Sequence, residues 1–366
     1  MDDGSSGDQR QAKPPSVARD QPIVQFGNVR DLAQPIKIIH PPVNFSIRRL
    51  YPASYLTDGI IESAEIRHQK SESRMPELPE VETIVRKLRN GEPVERGLPP
   101  YPTPVGRVIT SAWTNWPRAA YPSGEVITQL LPDHCIESIG RRGKYIVFTL
   151  LPCRLVTSPA DKQYLLIHLK MSGRLDVLSA ETPIDKHVHF IFTLDNGYQL
   201  RFNDARKFGR VYLVSDPAEI TGALGPEPLD PAFTLQAFRV LIAAKSGALK
   251  PLLLDQTFIA GIGNIYADEA LWRAKLHPLR RAGWLKPGEV AALYRSIRAA
   301  LNDGIKHKGA AIDWVYPEGN YQDHFRVYGR AGEPCRRCRT CIRRIVVGQR
   351  GTHFCPRCQS QRGPRG

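Results

Sequence analysis

Long apolar runs are missing from the sequence of this 366-residue chain. No stretch reaches the roughly 18 consecutive apolar residues that a membrane-spanning helix needs. The chain opens with Met1-Asp2-Asp3-Gly4, which is acidic where a targeting segment is basic, and no apolar signal-peptide core follows. The sequence therefore predicts a cytoplasmic protein that has no membrane partner and no signal peptide.

Acidic residues are also in short supply. The chain has 51 lysines and arginines against 36 aspartates and glutamates, which gives a formal net charge of +15 at pH 7. Residues 1–74 are close to neutral, so the excess of positive charge belongs to the rest of the chain. This excess favours a polyanionic partner, because each phosphate that lysine or arginine neutralises releases condensed counterions. A basic surface that only improves solubility is the alternative.

Residues 1–74 lack the patterns that folded segments show. They are rich in proline, serine, glutamine and isolated charges, with no sustained helical period and no hairpin signal. We predict that this stretch is disordered or is a non-native extension.

Regular patterns begin after this stretch. An apolar stripe from Val81 to Leu88 recurs at helical spacing, Pro79 suits the first helical position, and Asn90-Gly91 ends the helix. Short apolar runs then dominate from about Val105 to Val214, and Asp195-Asn196-Gly197 joins two of them as a tight hairpin. The pattern predicts an N-terminal β-sandwich with flanking helices.

A second change of pattern follows the β-rich region. Gly225-Pro226-Glu227-Pro228 cannot hold regular structure and is predicted to be a hinge, whereas the stripe from Val290 to Leu301 is helical. The tail is short and rich in arginine and cysteine. The predicted fold class is α+β, with a β-sandwich domain at 75–215, a hinge at 216–230, a helical domain at 231–328 and a zinc-ribbon hairpin at 329–366.

Cysteine is scarce outside this tail, which holds five of the seven. Cys335-x-x-Cys338 and Cys355-x-x-Cys358 are sixteen residues apart, and four thiolates from two such turns can surround zinc. Disulfides are the alternative, but the cysteine count is odd and no secretion signal is present. Cys341 also forms a CxxC with Cys338; we expect Cys338 to be the ligand because it pairs with Cys335 in one turn. The spacing predicts one structural Zn²⁺.

Several further motifs follow one another along the chain. They are Met75-Pro76-Glu77-Leu78-Pro79-Glu80, Arg142-Gly143-Lys144-Tyr145, His168-Leu169-Lys170-Met171-Ser172-Gly173, Asp204-Ala205-Arg206-Lys207-Phe208-Gly209 and Gly261-Ile262-Gly263-Asn264-Ile265-Tyr266. With the cysteine pairs, this order resembles the formamidopyrimidine-DNA glycosylases, or Fpg enzymes, of the Fpg/endonuclease VIII family. The likeness extends over about four-fifths of the chain.

The resemblance implies a bifunctional DNA glycosylase and AP lyase. Such an enzyme excises oxidised purines, such as 8-oxoguanine and formamidopyrimidines, from damaged double-stranded DNA and acts as a monomer on the bacterial nucleoid. It implies that Pro76 is the amine nucleophile that forms a Schiff base and that Glu77 donates a proton to the sugar. Lys144 then assists β-elimination and Arg350 assists δ-elimination.

Pro76 can attack only as a chain-terminal amine, because within a peptide its nitrogen is part of an amide. A terminal amine has a pKa near 8 and is partly neutral at working pH. We therefore expect the functional protein to start at Met75, whose removal frees the amine of Pro76.

The resemblance also implies residues that bind DNA. The damaged nucleotide must leave the stack, and a wedge made of Met171, Arg206 and Phe208 fills the gap. Phosphate or lesion contacts fall to His187, Lys245, Lys250 and Asn264. Asn264 follows Gly261-x-Gly263, which resembles the turn of a helix-two-turn-helix motif and places a helix N-terminus where it can bind phosphate.

The sequence departs from the family pattern at a few positions. Lys170 stands where the family usually has glycine, and Lys308-Gly309-Ala310-Ala311 lacks the hydroxyl pair that is common in the lesion-recognition loop. Glu269 matches a family acid at the pocket. Two alternatives stay open: a glycosylase for oxidised pyrimidines, and a non-catalytic zinc-ribbon DNA-binding protein if Pro76 stays blocked.

Overall fold

The computed structural model describes residues 75–93, 100–153, 162–311, 316 and 319–361. The prediction for residues 1–74 lies outside these ranges. Within them, no helix combines the length and the apolar character that crossing a bilayer requires.

The first helix, α1, spans Leu78–Asn90. It starts one residue earlier than expected, so Pro79 occupies its second position, where a missing N–H is equally harmless. Gly91 ends the helix in the left-handed region at φ 69°, as predicted from Asn90-Gly91. Most of the helix packs on the β domain, but Leu78 belongs to the apolar core of the helical domain. The helix therefore starts where the two cores meet.

Nine strands form one hydrogen-bonded sheet. They are β1 (Val108–Thr114), β2 (Ala120–Tyr121), β3 (His134–Arg142), β4 (Tyr145–Pro152), β5 (Gln163–His168), β6 (Gly173–Ser179), β7 (Val188–Leu194), β8 (Tyr198–Asp204) and β9 (Arg210–Val214). Their order is β2-β9-β5-β4-β3-β1-β7-β8-β6, and among these described strands only β2 and β9 pair in parallel. A short helix, α2 (Gly124–Leu130), packs beside β1.

The sheet closes over itself as a sandwich. β1 pairs with both β3 and β7, and its register shifts between Ile109 and Ser111, where a bulge bends the strand. Phe148 of β4 and Phe192 of β7, from the two halves of the sheet, belong to one apolar core. The predicted hairpin is β7 and β8, with Gly197 at φ 80° in its turn.

The segment between the domains is irregular, but ion pairs and hydrogen bonds hold it against β3. A short helix, α3 (Ala218–Thr221), precedes the Gly225-Pro226-Glu227-Pro228 turn. The Glu227 carboxylate pairs with Arg141 at 2.9 Å and with Arg142 at 3.3 Å. Arg142 also donates to the carbonyls of Leu224 and Gly225. These bonds fix the turn against the end of β3.

In the described part of the helical domain, four helices share a common core. They are α4 (Leu235–Ala243), α5 (Leu249–Leu254), α6 (Asn264–Arg273) and α7 (Pro287–Lys306), and short 3₁₀ turns lie at Ala282–Trp284 and Tyr321–His324. The chain ends in a two-stranded ribbon, β10 (Arg343–Val347) and β11 (Arg350–Phe354), that packs on α6.

Candidate active site and zinc centre

The four tail cysteines form a metal site. The sulfur atoms of Cys335, Cys338, Cys355 and Cys358 all lie within 4.8 Å of one another. The Sγ atoms of Cys338 and Cys355 are 3.4 Å apart, and those of Cys335 and Cys358 are 4.0 Å apart. Tetrahedral zinc with Zn–S bonds of about 2.3 Å needs sulfur separations near 3.8 Å, which this cluster matches. The cluster is a structural zinc site that includes Cys338, and exposed Cys341 lies outside it.

Glu77 is buried against the start of α6, with 3% of its surface exposed. Its carboxylate accepts hydrogen bonds from the backbone N–H groups of Gly263 at 2.7 Å, Ile265 at 2.9 Å and Tyr266 at 3.3 Å. These bonds and the nearby Lys144 favour the charged form, but burial outweighs them and raises the pKa of Glu77. A carboxyl group with a raised pKa keeps a proton that it can donate.

Gly261 and Gly263 let Glu77 and Leu78, at the start of α1, approach α6 closely. A Cβ atom on Gly263 would lie 2.3 Å from the Glu77 side chain, and one on Gly261 would lie 2.7 Å from Leu78. The Leu78 N–H also donates to the Gly261 carbonyl at 3.0 Å. The glycines therefore serve close packing of this chain on itself.

Lys144 lies beside Glu77 in the tight β3–β4 turn, where Gly143 adopts φ 57°. Only 5% of its surface is exposed. Burial lowers the pKa of Lys144, and repulsion from Arg350 and Lys170 adds to this effect, while Glu77 and Glu80 oppose it. A lowered pKa increases the fraction of neutral amine, which can accept a proton.

These groups face a cavity of about 430 Å³ where the β domain, the helical domain and the zinc hairpin meet. Five of the expected site residues line it directly, and so does Met75, the residue before Pro76. The lining residues are Met75, Glu77, Lys144, Met171, Leu254, Gln256, Ile262, Gly263, Asn264, Ile265, Tyr328, Arg344, Gln349, Arg350 and Gly351. Tertiary structure thus gathers residues that lie far apart in the sequence.

Sequence reasoning did not single out Glu80. Its buried carboxylate accepts hydrogen bonds from the Glu77 N–H at 2.9 Å, the Tyr266 hydroxyl at 2.8 Å and the Ala310 N–H at 2.7 Å. Burial and the charge of Glu77 raise the pKa of Glu80 to about 7. An acid three residues after a helix N-cap was the available signal, but that signal suggests only a cap.

The wedge residues Arg206 and Phe208 lie outside the cavity lining, on the loop after β8. Phe208 is 44% exposed, and the Arg206 guanidinium lies 4.8 Å from the centre of its ring. Buried Asp204 orders this loop by accepting the N–H groups of Phe208 at 2.9 Å and Gly209 at 2.7 Å. Asp204 therefore fixes the backbone of this loop while its side chains stay exposed.

The remaining expected DNA contacts are placed differently from one another. His187, ahead of β7, and Lys245, after α4, are half-buried outside the cavity lining. Lys250 is fully buried, pairs with Asp268 and donates to the Asn264 carbonyl at 3.1 Å. Lys250 thus has partners within the protein, and its expected contact with DNA stays a prediction.

One departure from the family pattern can be located. Lys170 adopts φ 52°, the left-handed conformation that favours glycine, between His168 and Met171. Glu269, which matches a family acid at the pocket, is buried next to the lining, and its carboxylate accepts the N–H groups of Arg326, Val327 and Tyr328.

Three known protein families match successive parts of the chain. Residues 75–211 match the formamidopyrimidine-DNA glycosylase N-terminal domain, and residues 224–315 match the formamidopyrimidine-DNA glycosylase H2TH domain. Residues 332–361 match the zinc finger found in FPG and IleRS.

Whole proteins match as well. The formamidopyrimidine-DNA glycosylase of Herpetosiphon aurantiacus is 43% identical over 294 residues, which cover 78% of this chain and 100% of that protein. The enzyme of Chloroflexus aurantiacus is 44% identical and covers 78% of this chain and 98% of its own length.

Solved structures of the Lactococcus lactis Fpg protein are similar in fold. Its complex with a DNA that contains N7-benzyl-Fapy-dG is 36% identical, with a TM-score of 0.68, and covers 78% of this chain and all of that one. Its complex with a DNA that contains an oxidised pyrimidine gives a TM-score of 0.67 at the same identity. The chain belongs to the formamidopyrimidine-DNA glycosylase family of DNA repair enzymes.

Proposed function

We propose that this chain is a bifunctional glycosylase and AP lyase that excises oxidised purines from duplex DNA in base excision repair. We propose further that it acts as a monomer on the DNA of a bacterial nucleoid. The observation that carries the proposal is the buried Glu77 carboxyl with its raised pKa, next to Pro76, in a cavity shared with Lys144 and Arg350.

The reaction begins at the amine of Pro76. The amine attacks the anomeric carbon of the flipped-out nucleotide, and Glu77 donates a proton to the sugar ring as the ring opens and the base leaves. Pro76 is buried between Met75 and Glu77, so a freed amine at this position lies at the cavity.

Strand cleavage follows from the resulting imine, which acidifies the neighbouring sugar protons. Lys144, whose pKa is lowered by burial, can take up such a proton for β-elimination. Arg350, on the zinc hairpin, also lines the cavity, where it would assist departure of the second phosphate. The two eliminations are thus assigned to residues of two domains.

DNA recognition is assigned to the exposed loop and to the edges of the cavity. Met171, Arg206 and Phe208 would fill the gap left by the flipped nucleotide. His187, Lys245 and Asn264 would contact phosphates, while Lys250 would act indirectly by holding the Asn264 turn.

The proposal requires that Pro76 become a chain terminus. Two observations favour a start at Met75: the family N-terminal domain begins its match at residue 75, and 78% of this chain covers the whole of a relative. Borohydride trapping of the imine tests this directly. We expect a covalent protein–DNA adduct from the chain that begins at Met75 after loss of that methionine, and none from intact full-length chain.

DNA binding without an adduct from either form would support the non-catalytic zinc-ribbon alternative. The control is a Pro76→Gly protein, which still has a terminal amine, although a primary one, and should still form an adduct. Trapping that is equally efficient in a Pro76→Gly protein with a blocked terminus would rule out this amine as the nucleophile.

A second candidate substrate class is the oxidised pyrimidines. The Lactococcus lactis relative has been solved with a DNA that contains one, which favours testing this class here. We expect faster single-turnover excision of 8-oxoguanine opposite cytosine than of an oxidised thymine. The reverse order would assign the chain to the pyrimidine class.

A further inference from the structure

A buried ion pair lies behind the cavity and takes no part in the proposed chemistry. Lys250 of α5 and Asp268 of α6 are both fully buried, and the Lys250 ammonium donates to one oxygen of the Asp268 carboxylate. The other carboxylate oxygen accepts the backbone N–H of His353, on β11, at 2.9 Å. Asp268 therefore joins the helical domain to the zinc hairpin.

Asn264 makes a matching contact one helical turn earlier. Its side-chain amide donates to the Gly351 carbonyl at 3.0 Å. Asn264 and Asp268 are four residues apart on α6 and so share one face. Gly351 and His353 are two residues apart on β11 and present these groups on the edge that does not pair with β10. Two α6 side chains thus satisfy the free edge of the ribbon.

This contact sets the place of Arg350, the residue directly before Gly351. Arg350 lines the cavity, while the first turn of α6 also holds Glu77 through the N–H groups of Gly263, Ile265 and Tyr266. Glu77 and Arg350 are consequently held at a common position, the start of α6, although they belong to different domains.

We propose that Asp268, neutralised by Lys250, is a positioning residue that docks the zinc hairpin on α6 and so places Arg350 for δ-elimination. The inference rests on the proposed role of Arg350. The buried charge of Asp268 makes a strong acceptor for the His353 N–H, and Lys250 makes that charge tolerable in a dry site.

The experiment measures the ratio of δ- to β-elimination products with a 5′-labelled 8-oxoguanine duplex under single-turnover conditions, using the active form of the protein. Asp268→Asn is expected to lower the ratio about tenfold or more, because small displacements of a catalytic group have effects of this size. The rate of base excision by Asp268→Asn is expected to stay within about threefold of that of the unmodified protein. Arg350→Ala should lower the ratio as well, and adding Asp268→Asn to it should change nothing further.

The matched control is Asp303→Asn, which breaks the ion pair with Arg273 at the far end of α6 and touches no hairpin residue. Its product ratio should equal that of the unmodified protein. Zinc content is measured for each variant. If Asp268→Asn loses zinc, the double variant Lys250→Met/Asp268→Leu removes both charges together and should show the same lowered ratio.

An unchanged ratio in a zinc-loaded variant, or additive effects of the Asp268 and Arg350 substitutions, would overturn the inference. If Arg350→Ala alone leaves the ratio intact, the role of Arg350 fails and the positioning inference fails with it. The glycosylase proposal is read separately, by the borohydride adduct, and would survive that result.

Discussion

Two regions near the cavity contrast sharply. We call Glu77, Glu80 and Lys144 the floor: they are buried ionisable groups with shifted pKa values, of which Glu77 and Lys144 line the cavity and Glu80 accepts the Glu77 N–H. The loop that carries Arg206 and Phe208 has an ordered backbone, but its side chains are exposed. The floor therefore holds its ionisable groups in buried hydrogen bonds, whereas the loop presents Arg206 and Phe208, in contact with each other, to solvent.

The difference follows from what each region is proposed to do. Proton transfer requires groups whose pKa values lie closer to neutrality, and burial produces such shifts. Insertion into a duplex requires side chains that reach outward from a fixed backbone, and Asp204 fixes that backbone. Substitutions in the two regions should therefore have separable effects.

The largest expected effect is on the floor. Glu77→Gln removes the proposed acid and should slow single-turnover base excision by about 10²- to 10⁴-fold. Affinity for a duplex with an abasic-site analogue should change little, because the exposed loop is untouched. Glu137→Gln, an exposed acid paired with Lys162, is the control and should excise at the normal rate.

The pH dependence of the excision rate is a second test of the role of Glu77. Since burial raises the pKa of Glu77, its proton persists to higher pH, and excision should decline on the alkaline side as this proton is lost. An excision rate that keeps rising through the alkaline range would contradict the role of Glu77 as acid.

A smaller effect is expected on the loop. Phe208→Ala should weaken binding to lesion-containing duplex by about 1–3 kcal/mol, the usual contribution of an aromatic ring stacked on a base. The unfolding midpoint should not move, because the ring is 44% exposed. Tyr121→Ala, at an aromatic residue of similar exposure on β2, provides the comparison. Loss of stability with unchanged DNA affinity would make Phe208 a structural residue.

The last expected effect is on the stability of the fold and comes from Glu80. Glu80 has a pKa of about 7 when folded against 4.5 for the free side chain, so the folded chain keeps its proton between these values. The stability from this proton is fully present below about pH 4.5 and is lost as pH rises through 7. In the unmodified protein, the free energy of unfolding measured with urea should fall in this window by at most about 1.4 kcal/mol per pH unit. Glu80→Gln should abolish this slope. Parallel curves for the two proteins would show that Glu80 does not titrate there.

The sequence predicted local elements well because their signals are local. Gly91 ended α1, Gly197 turned the β7–β8 hairpin, and the two CxxC pairs formed the zinc cluster. In each case a few adjacent residues contain the required geometry: a left-handed turn, an alternating apolar pattern, or two closely spaced thiolates. The start of α1 was displaced by one residue, since Leu78 is drawn into the helical core.

The same local signals could not predict which polar residues are buried. Glu80, Asp204 and Asp268 look like a helix-start charge, a turn residue and a solvated helical acid when read along the chain. The structure shows each one as the acceptor of several bonds, and Glu80 reaches Ala310 across 230 residues of sequence. The burial of Lys250 was equally unpredictable, because the residues beside a lysine give no sign that it is buried.

By itself the sequence determined the α+β class and the zinc ligands, and it predicted the reactive groups, because motif order and spacing are properties of the chain. Only the tertiary structure decided which charges are buried and what they hold. Burial and long-range hydrogen bonds depend on how domains pack, and here that packing turns the start of α6 into the common anchor of Glu77 and the zinc hairpin.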